Sequence, residues 1–327
     1  MQEQIDTLFT WLDETTTIIE QEENTPYIEA LIASSNLLFE QQVPEDLEPN
    51  YRQKLVDQVN NVQFDQFDKE ARRKAMQLAI LKGMKGATQQ HHYITPDTIG
   101  VFIGYLINKF MDDETSYRLF DPAAGSSNLL LTILNQQDHL DVEAFGSEVD
   151  PTLIRLAFNN TNLQEREIEF FHQDSLKPIL LEPVDVIASD LPVGYYPDDD
   201  TASSYELKAE EGEHSFAHHL FIEQSLKYVK EAGYLFFVVP SFLFASEQKD
   251  ALQSFLKENA HIVGVLELPE SMFKDEKFKR SILVLQKKGE ATRDPNKVML
   301  AQLPSFKDVE GTNNVIQQID EWFQNDR

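Results

Sequence analysis

Apolar positions in the first quarter of the chain recur at helical spacing. Leu8, Trp11 and Leu12, then Ile18 and Ile19, share one stripe, and Ile28, Leu31, Ile32 and Leu37 form the next. Residues 45–62 and 67–84 repeat the pattern, and Thr25-Pro26 reads as an N-cap followed by proline at the first helical position. Residues 1–88 are therefore expected to form a helical N-terminal domain for packing or partner binding. The basic run Arg72-Arg73-Lys74 lies within it, but no residue combination there suggests chemistry. At Gly86 the character changes: a polar loop over 89–97 leads into an amphipathic helix over 99–110. Short apolar runs then alternate with helical stretches. Strands are expected at 117–120, 142–148, 168–172, 184–189, 234–239, 262–268 and 281–286, with a polar linker, a short strand at 298–303 and a terminal helix ending near Phe323. That alternation predicts an α/β fold with a seven-stranded, mostly parallel sheet covered on both faces.

The stretch around which the rest is arranged is Phe120-Asp121-Pro122-Ala123-Ala124-Gly125-Ser126-Ser127-Asn128-Leu129. An apolar run ends on an acid, turns through small residues and opens into a helix, the unit in which backbone amides approach a cofactor. Only small residues allow that approach, which gives Ala123, Ala124 and Gly125 a reason. Acids stand at or beside the ends of four successive strands: Asp121, Glu148, Asp174 and Asp190. Glu148 is where a ribose-binding acid belongs in such a sheet. Core packing does not predict four acids in these places.

Composition narrows the function. The chain has 327 residues, no cysteine and a formal net charge of −28, with 56 acids against 28 Lys and Arg. Without cysteine there are no disulfides, thiolate metal sites or cysteine nucleophiles. A protein that grips nucleic acid unaided gathers cationic side chains, so here a partner is expected to supply the binding surface, or the substrate is not bare nucleic acid. No run is long enough to span a bilayer and the start Met1-Gln2-Glu3-Gln4 is no secretory signal, so a cytoplasmic protein is expected. His214 and His218 have the spacing of one helix face, but no glutamate stands between them as a zinc helix requires; a cluster at a helix start is expected and no metal.

At Ser189-Asp190-Leu191-Pro192-Val193-Gly194-Tyr195-Tyr196-Pro197 the chain resembles a family, the S-adenosylmethionine-dependent N6-adenine DNA methyltransferases, and most of all the modification subunits of type I restriction systems. The family's Asp-Pro-x-x-Gly-x-Gly is similar to Asp121 through Ser127, its preceding Thr-Pro to Thr95-Pro96, its acid after the second strand to Glu148, and its Asn/Asp-Pro-Pro-aromatic-Gly to Asp190 through Gly194. Residues 266–273 and 281–285 resemble those subunits as well. The resemblance covers about residues 87–290. It implies a Rossmann-like class I methyltransferase domain at 89–290, a C-terminal extension at 291–327 and S-adenosylmethionine as cofactor. Carried over residue by residue, it implies cofactor contacts at Thr95, Asp121, Ala123, Gly125, Asn128, Glu148, Asp174 and Asp190, and catalytic roles for Asp190 and Pro192.

Three departures stand out. Ser127 replaces the second glycine, which is tolerable with a negative φ and a side chain turned away. Leu191 replaces a proline. Val193 replaces the ring on which a flipped adenine stacks, so Tyr195 or Tyr196 is expected to substitute. The family's separate target-recognition region is absent, and the segment 196–214, which should face substrate, carries Asp198-Asp199-Asp200 and Glu210-Glu211-Gly212-Glu213. The chemistry itself is simple. An oxygen of Asp190 and a neighbouring carbonyl accept both N–H groups of an exocyclic amine, and a methyl group transfers in one displacement. An enzyme acting on adenine in DNA, reached through a partner, leads. An RNA or protein N-methyltransferase, or a decayed cofactor-binding protein acting through protein partners or as a homo-oligomer through its N-terminal helices, stays open.

Overall fold

The computed structural model of the chain describes residues 1–85, 94–137, 140–273 and 275–326. The loop expected from residue 89 lies, up to residue 93, outside the described residues. Four helices come first: α1 (Gln2–Glu23), α2 (Tyr27–Glu40), α3 (Pro49–Asn60) and α4 (Lys69–Met84). Their apolar stripes meet in one cluster around Leu8, Leu12, Leu31, Leu38 and Met76, all fully buried. Two expected starts shift. α2 begins one residue late, with Pro26 as its cap residue and no side chain bonding there. α3 begins at Pro49 instead of Glu45, because Glu48 caps it, accepting from the amides of Asn50 and Tyr51 at 3.0 Å each.

Helix α5 (Asp97–Phe110) leads into the sheet region. There β1 (Ser116–Asp121), α6 (Asn128–Leu134), β2 (Asp141–Glu148), α7 (Pro151–Leu163), β3 (Ile168–His172) and β4 (Val184–Asp190) alternate. After α8 (Asp199–Ala202) and α9 (Ala217–Tyr228) come β5 (Val229–Pro240), α10 (Lys249–Asn259), β6 (Ala260–Glu267), β7 (Arg280–Lys287), β8 (Met299–Gln302) and α11 (Val309–Asn325). The strands form one sheet in the order β3-β2-β1-β4-β5-β7-β6-β8; β7 runs antiparallel between β5 and β6, and the other pairs are parallel. The seven expected strands are all present, and the short run near 298–303 adds an eighth at the edge.

Successive residues of a strand point to opposite faces, and here both faces are apolar. Leu119, Val186, Phe236 and Val238 pack against α5, α6 and α11; Phe120, Ile187, Leu235 and Phe237 pack against α9 and α10. The N-terminal helices lean on α7, whose Leu153, Leu156 and Leu163 complete their cluster. Asn159 of α7 donates to the Ile32 carbonyl and to Ser35 Oγ, both at 2.8 Å. No helix among the described residues is long and apolar enough to cross a membrane. The strand order reverses between β1 and β4, and a crevice opens beyond their carboxyl ends.

Candidate active site

That crevice is a cleft of about 700 Å³. One of its walls is the turn between β1 and α6. Asp121 Oδ1 accepts from the Ala123 amide (3.0 Å) and from Ser189 Oγ (2.6 Å), which bends the chain back over the strand end. The Ala124 amide donates to the Ser147 carbonyl at 2.9 Å and ties the turn to β2. Gly125 has φ +54°, and a Cβ built there meets nothing within 4 Å; it would stand in the open cleft. The Gly125 amide donates to Glu148 Oε2 (2.9 Å), while Glu148 Oε1 accepts from the Asp150 amide (2.8 Å). Glu148 is thus fixed at the mouth of the turn by two backbone donors.

Ser127 departs from expectation. Its φ is +67°, not negative, and its hydroxyl is buried without a partner among the described residues. The turn needs a left-handed residue at the position where the family pattern has glycine, and serine adopts that conformation at a cost of roughly 1–2 kcal/mol.

Thr95 departs too. It does not cap α5, whose cap residue is Pro96; its hydroxyl donates to Asp190 Oδ2 at 2.9 Å. Burial raises the carboxyl of Asp190 above the ordinary aspartate range, against the Arg280 charge and the Thr95 donor, which favour the anion. Asp121 is pushed up to about 7: burial is the main cause, Ser189 and Ala123 oppose it, and the charges of Asp190 and Glu148 add to it. Four carboxyl groups, those of Asp121, Glu148, Asp174 and Asp190, line the cleft, against the two cations Lys277 and Arg280.

Asn128, expected at the cofactor, is occupied by protein. Its Nδ2 donates to the Thr95 carbonyl (2.9 Å) and its Oδ1 accepts from Arg73 Nη1 (2.8 Å). Arg73, fully buried, also grips Asp97 through two bonds of 2.7 Å and Glu70 through bonds of 2.8 and 2.7 Å. The run Arg72-Arg73-Lys74, which by sequence suggests no chemistry, thus sends one guanidinium from α4 to the first residues of α5 and α6. Arg72 is buried as well, donating to the Phe67 and Leu163 carbonyls. Arg73 had no periodic or motif signal; only a charged residue on the buried face of a helix hinted at it.

Thr95, Asp121, Ala123, Gly125, Asn128, Glu148, Asp174, Asp190 and Pro192 all line this cleft, whereas Tyr195 and Tyr196 do not. The Tyr196 hydroxyl donates to Asp174 Oδ2 (2.5 Å), and its ring is buried. The Tyr195 ring stacks on Phe216 at 5.0 Å and 12°. Neither ring therefore stands in for the aromatic missing at Val193. The rings that line the cleft are those of Phe221, which is buried, and of Phe242 and Phe278, both substantially exposed. No signature position pointed to Phe242 or Phe278, because they arrive from the segments after β5 and before β7.

The histidines behave differently from a metal pair. α9 begins at Ala217, so His214 precedes it and shares no helix face with His218. Among the described residues no group of three or more His, Asp or Glu is arranged to hold an ion. His218 and His219 are fully buried, their ring nitrogens without a partner among the described residues, packed edge to face at 4.9 Å and against Phe216. Burial lowers His218 to about 3 and His219 to about 4. Since the unfolded chain binds these protons near 6.5, both stabilise the fold above that pH, and the stability drains away as the pH falls toward 4. Asp121, raised in the fold, acts in the opposite direction over much of that window. Denaturant titrations from pH 7 to 4 should therefore give a shallower pH slope for His218→Phe than for the wild-type chain, with Asp121 common to both. Equal slopes would mean that His218 is not held neutral.

Comparison with known proteins bears on this geometry. Residues 80–327 match the family model described as N-6 DNA Methylase, and residues 6–84 match that of the YtxK N-terminal helical domain. The chain is 45% identical over 321 residues to YtxK of Bacillus subtilis strain 168, covering 97% of this chain and 96% of that protein. A crystal structure from Listeria monocytogenes, assigned to the class I S-adenosylmethionine-dependent methyltransferases, superposes with a TM-score of 0.92 at 40% identity, covering 99% of this chain and all of that one. A type I restriction-modification methyltransferase subunit from Streptococcus thermophilus shares the fold, with a TM-score of 0.67, 15% identity and coverage of 96% and 74%.

Proposed function

Because the chain belongs to the N-6 DNA methylase family and is an S-adenosylmethionine-dependent methyltransferase, we propose that its cleft methylates the exocyclic amine of a planar, adenine-type ring. The observation that carries this reading is Asp190: a half-buried carboxylate at the end of β4, oriented by Thr95, with Pro192 and the rings of Phe242 and Phe278 on the same cleft. An amine conjugated to a ring is a poor nucleophile. Asp190 accepts its N–H groups and returns electron density to nitrogen, while the phenyl rings hold the plane of the acceptor.

The residues present fit the cofactor. Gly125 leaves open the space that a Cβ would fill, and the carboxyl groups of Asp121, Glu148 and Asp190 form a wall suited to a cation. Bound there, S-adenosylmethionine supplies an electrophilic methyl group on a positively charged sulfur. Glu148, already ordered by two amides, is in our reading the acceptor for ribose hydroxyls, and the Ala123–Gly125 backbone is the surface against which the donor lies. Holding donor and amine in line supplies roughly 7–11 kcal/mol of the barrier.

The acceptor is not gripped as bare duplex by this chain alone, whose net charge is −28. A protein partner, or a second copy meeting it through the N-terminal helices, belongs to the same reading; the exposed apolar side chains of Phe39, Leu78 and Leu81 on those helices support it. So does a cytoplasmic setting, where donor and acceptor are at hand. The test combines calorimetry with product analysis. Glu148→Ala should lose S-adenosylhomocysteine affinity by roughly 1.5–3 kcal/mol. Mass spectrometry of nucleic acid and nucleotides incubated with labelled donor should show N6-methyladenine. Label found only in protein would replace the adenine-type acceptor with a peptide one.

A further inference from the structure

The cleft has a second end that the donor and the amine leave unused. β7 runs antiparallel to β5, so its first residue, Arg280, pairs with Pro240 at the carboxyl edge of the sheet, on the side of Asp190 away from β1 and β2. Arg280 lines the cleft, and its Nη1 is shut off from solvent with no hydrogen-bond partner among the described residues. A guanidinium donor left unused inside a cleft is available to an acceptor that arrives with a ligand. Asp190 lies near enough for the Arg280 charge to favour its anion, but the hydrogen bond it accepts comes from the hydroxyl of Thr95. Lys277 lines the same end and is held only loosely by Asp275 at 3.6 Å, while Lys279 beside it is already paired with Glu270 and Glu276. Two cations and the rings of Phe242 and Phe278 therefore face one compartment in a chain with twice as many acids as bases.

We propose that this end of the cleft is a subsite for the anionic group of a small planar amine, a free adenine mononucleotide, with Arg280 holding the phosphate while Asp190 holds the amine. The proposal rests on the adenine-type acceptor reading and narrows it. A fork of guanidinium donors suits a phosphate better than an ammonium does. The size of the acceptor follows from what surrounds the cations. The segment that leaves the cleft at Val193 carries Asp198, Asp199 and Asp200, then Glu210, Glu211 and Glu213. A single phosphate needs only Arg280, whereas a nucleic-acid strand brings further phosphates to a chain whose segment beyond the cleft is this acidic.

The test is calorimetry on the full chain saturated with S-adenosylhomocysteine, titrated with adenosine, adenosine 5′-monophosphate and a short adenine-containing single strand. The monophosphate is expected to bind about tenfold to a hundredfold tighter than adenosine, the range of one charge-assisted hydrogen bond, and tighter than the strand. Arg280→Met should bring the monophosphate down to the affinity of adenosine with S-adenosylhomocysteine binding unchanged, which also shows that the variant is folded. Arg280→Lys should keep part of the preference. Equal binding of adenosine and its monophosphate overturns the subsite but leaves the amine acceptor standing. Tighter binding of the strand, lost in Arg280→Met, overturns the mononucleotide. Loss of S-adenosylhomocysteine affinity in both variants places Arg280 with the cofactor and overturns the proposal. Failure of the adenine-type reading itself shows separately, as labelled product without N6-methyladenine.

Discussion

Asp190→Ala is expected to bind S-adenosylhomocysteine almost as well as the wild-type chain and to transfer methyl roughly 10²–10⁴-fold more slowly, the range for a positioned proton acceptor. The split follows from where the side chain sits. Asp190 ends β4, takes its hydrogen bond from Thr95 and lies beside the β5–β7 half of the cleft, whereas Glu148 and the Gly125 turn lie on the β1–β2 half. An interaction with the amine strengthens as nitrogen gives up its lone pair, so removing it lowers kcat with little change in donor affinity. Asp190→Asn separates charge from geometry. Its amide oxygen can still accept one N–H, so it should retain part of the activity that alanine loses. The pH profile carries the same information. Burial raises Asp190 and only the anion accepts, so the acid limb of kcat should lie above the usual aspartate range. Labelled transfer at several pH values, with calorimetry on each variant, reads all of this; Asp190→Ala with wild-type kcat would remove Asp190 from the chemistry.

The second large effect concerns Arg73. Replacing it with methionine keeps much of the volume and leaves Asp97, Glu70 and Asn128 facing a methyl sulfide. Removing one partner of a buried ion pair costs roughly 3–5 kcal/mol. Glu70 and Asp97 retain some solvent contact, side-chain exposure being 36% and 24%, which sets the expectation at the lower end of that range. Lysine should rescue little, because one ammonium cannot reach in three directions at once. Unlike an ordinary core substitution, Arg73→Met should also weaken the donor site. Asn128 anchors the Thr95 carbonyl, and Thr95 orients Asp190, so slack at Arg73 spreads to both. Denaturant midpoints and S-adenosylhomocysteine affinities measured on the same preparations provide the check. A destabilised chain with unchanged donor affinity and unchanged transfer would make the N-terminal helices a passive support.

These two residues also mark the limit of what could be read along the chain. Asp190 is visible because a strand period, a proline and a glycine follow one another within six residues, and each has a local cause. The strands and their order of appearance are visible for the same reason. Arg73 joins groups 24 and 55 positions away, and Arg280 reaches the cleft only because β7 turns back between β5 and β6. No local rule encodes either. Tyr196 shows the opposite failure: it lies next to the signature yet turns inward to Asp174, since a phenol bonding a carboxylate under a loop is favoured over a bare ring in water. Ser127 differs from expectation for a subtler reason. A residue type signals which backbone conformations are easy, but the turn from β1 into α6 demands a left-handed one regardless.

The cluster that fills the N-terminal helices has an implication for how the chain is made. Leu153, Leu156 and Leu163 belong to α7, beyond β2, yet they close the interior that α1 to α4 begin. A chain emerging from its N-terminus thus presents four amphipathic helices whose shared apolar face lacks its lid until some eighty further residues have been synthesised. The helix that completes this cluster also packs beside β2 and β3, so the N-terminal helices and the sheet share one structural element. A chain truncated before residue 150 is therefore expected to expose the apolar face that α7 covers, and limited proteolysis of residues 1–149 beside the full chain is the check.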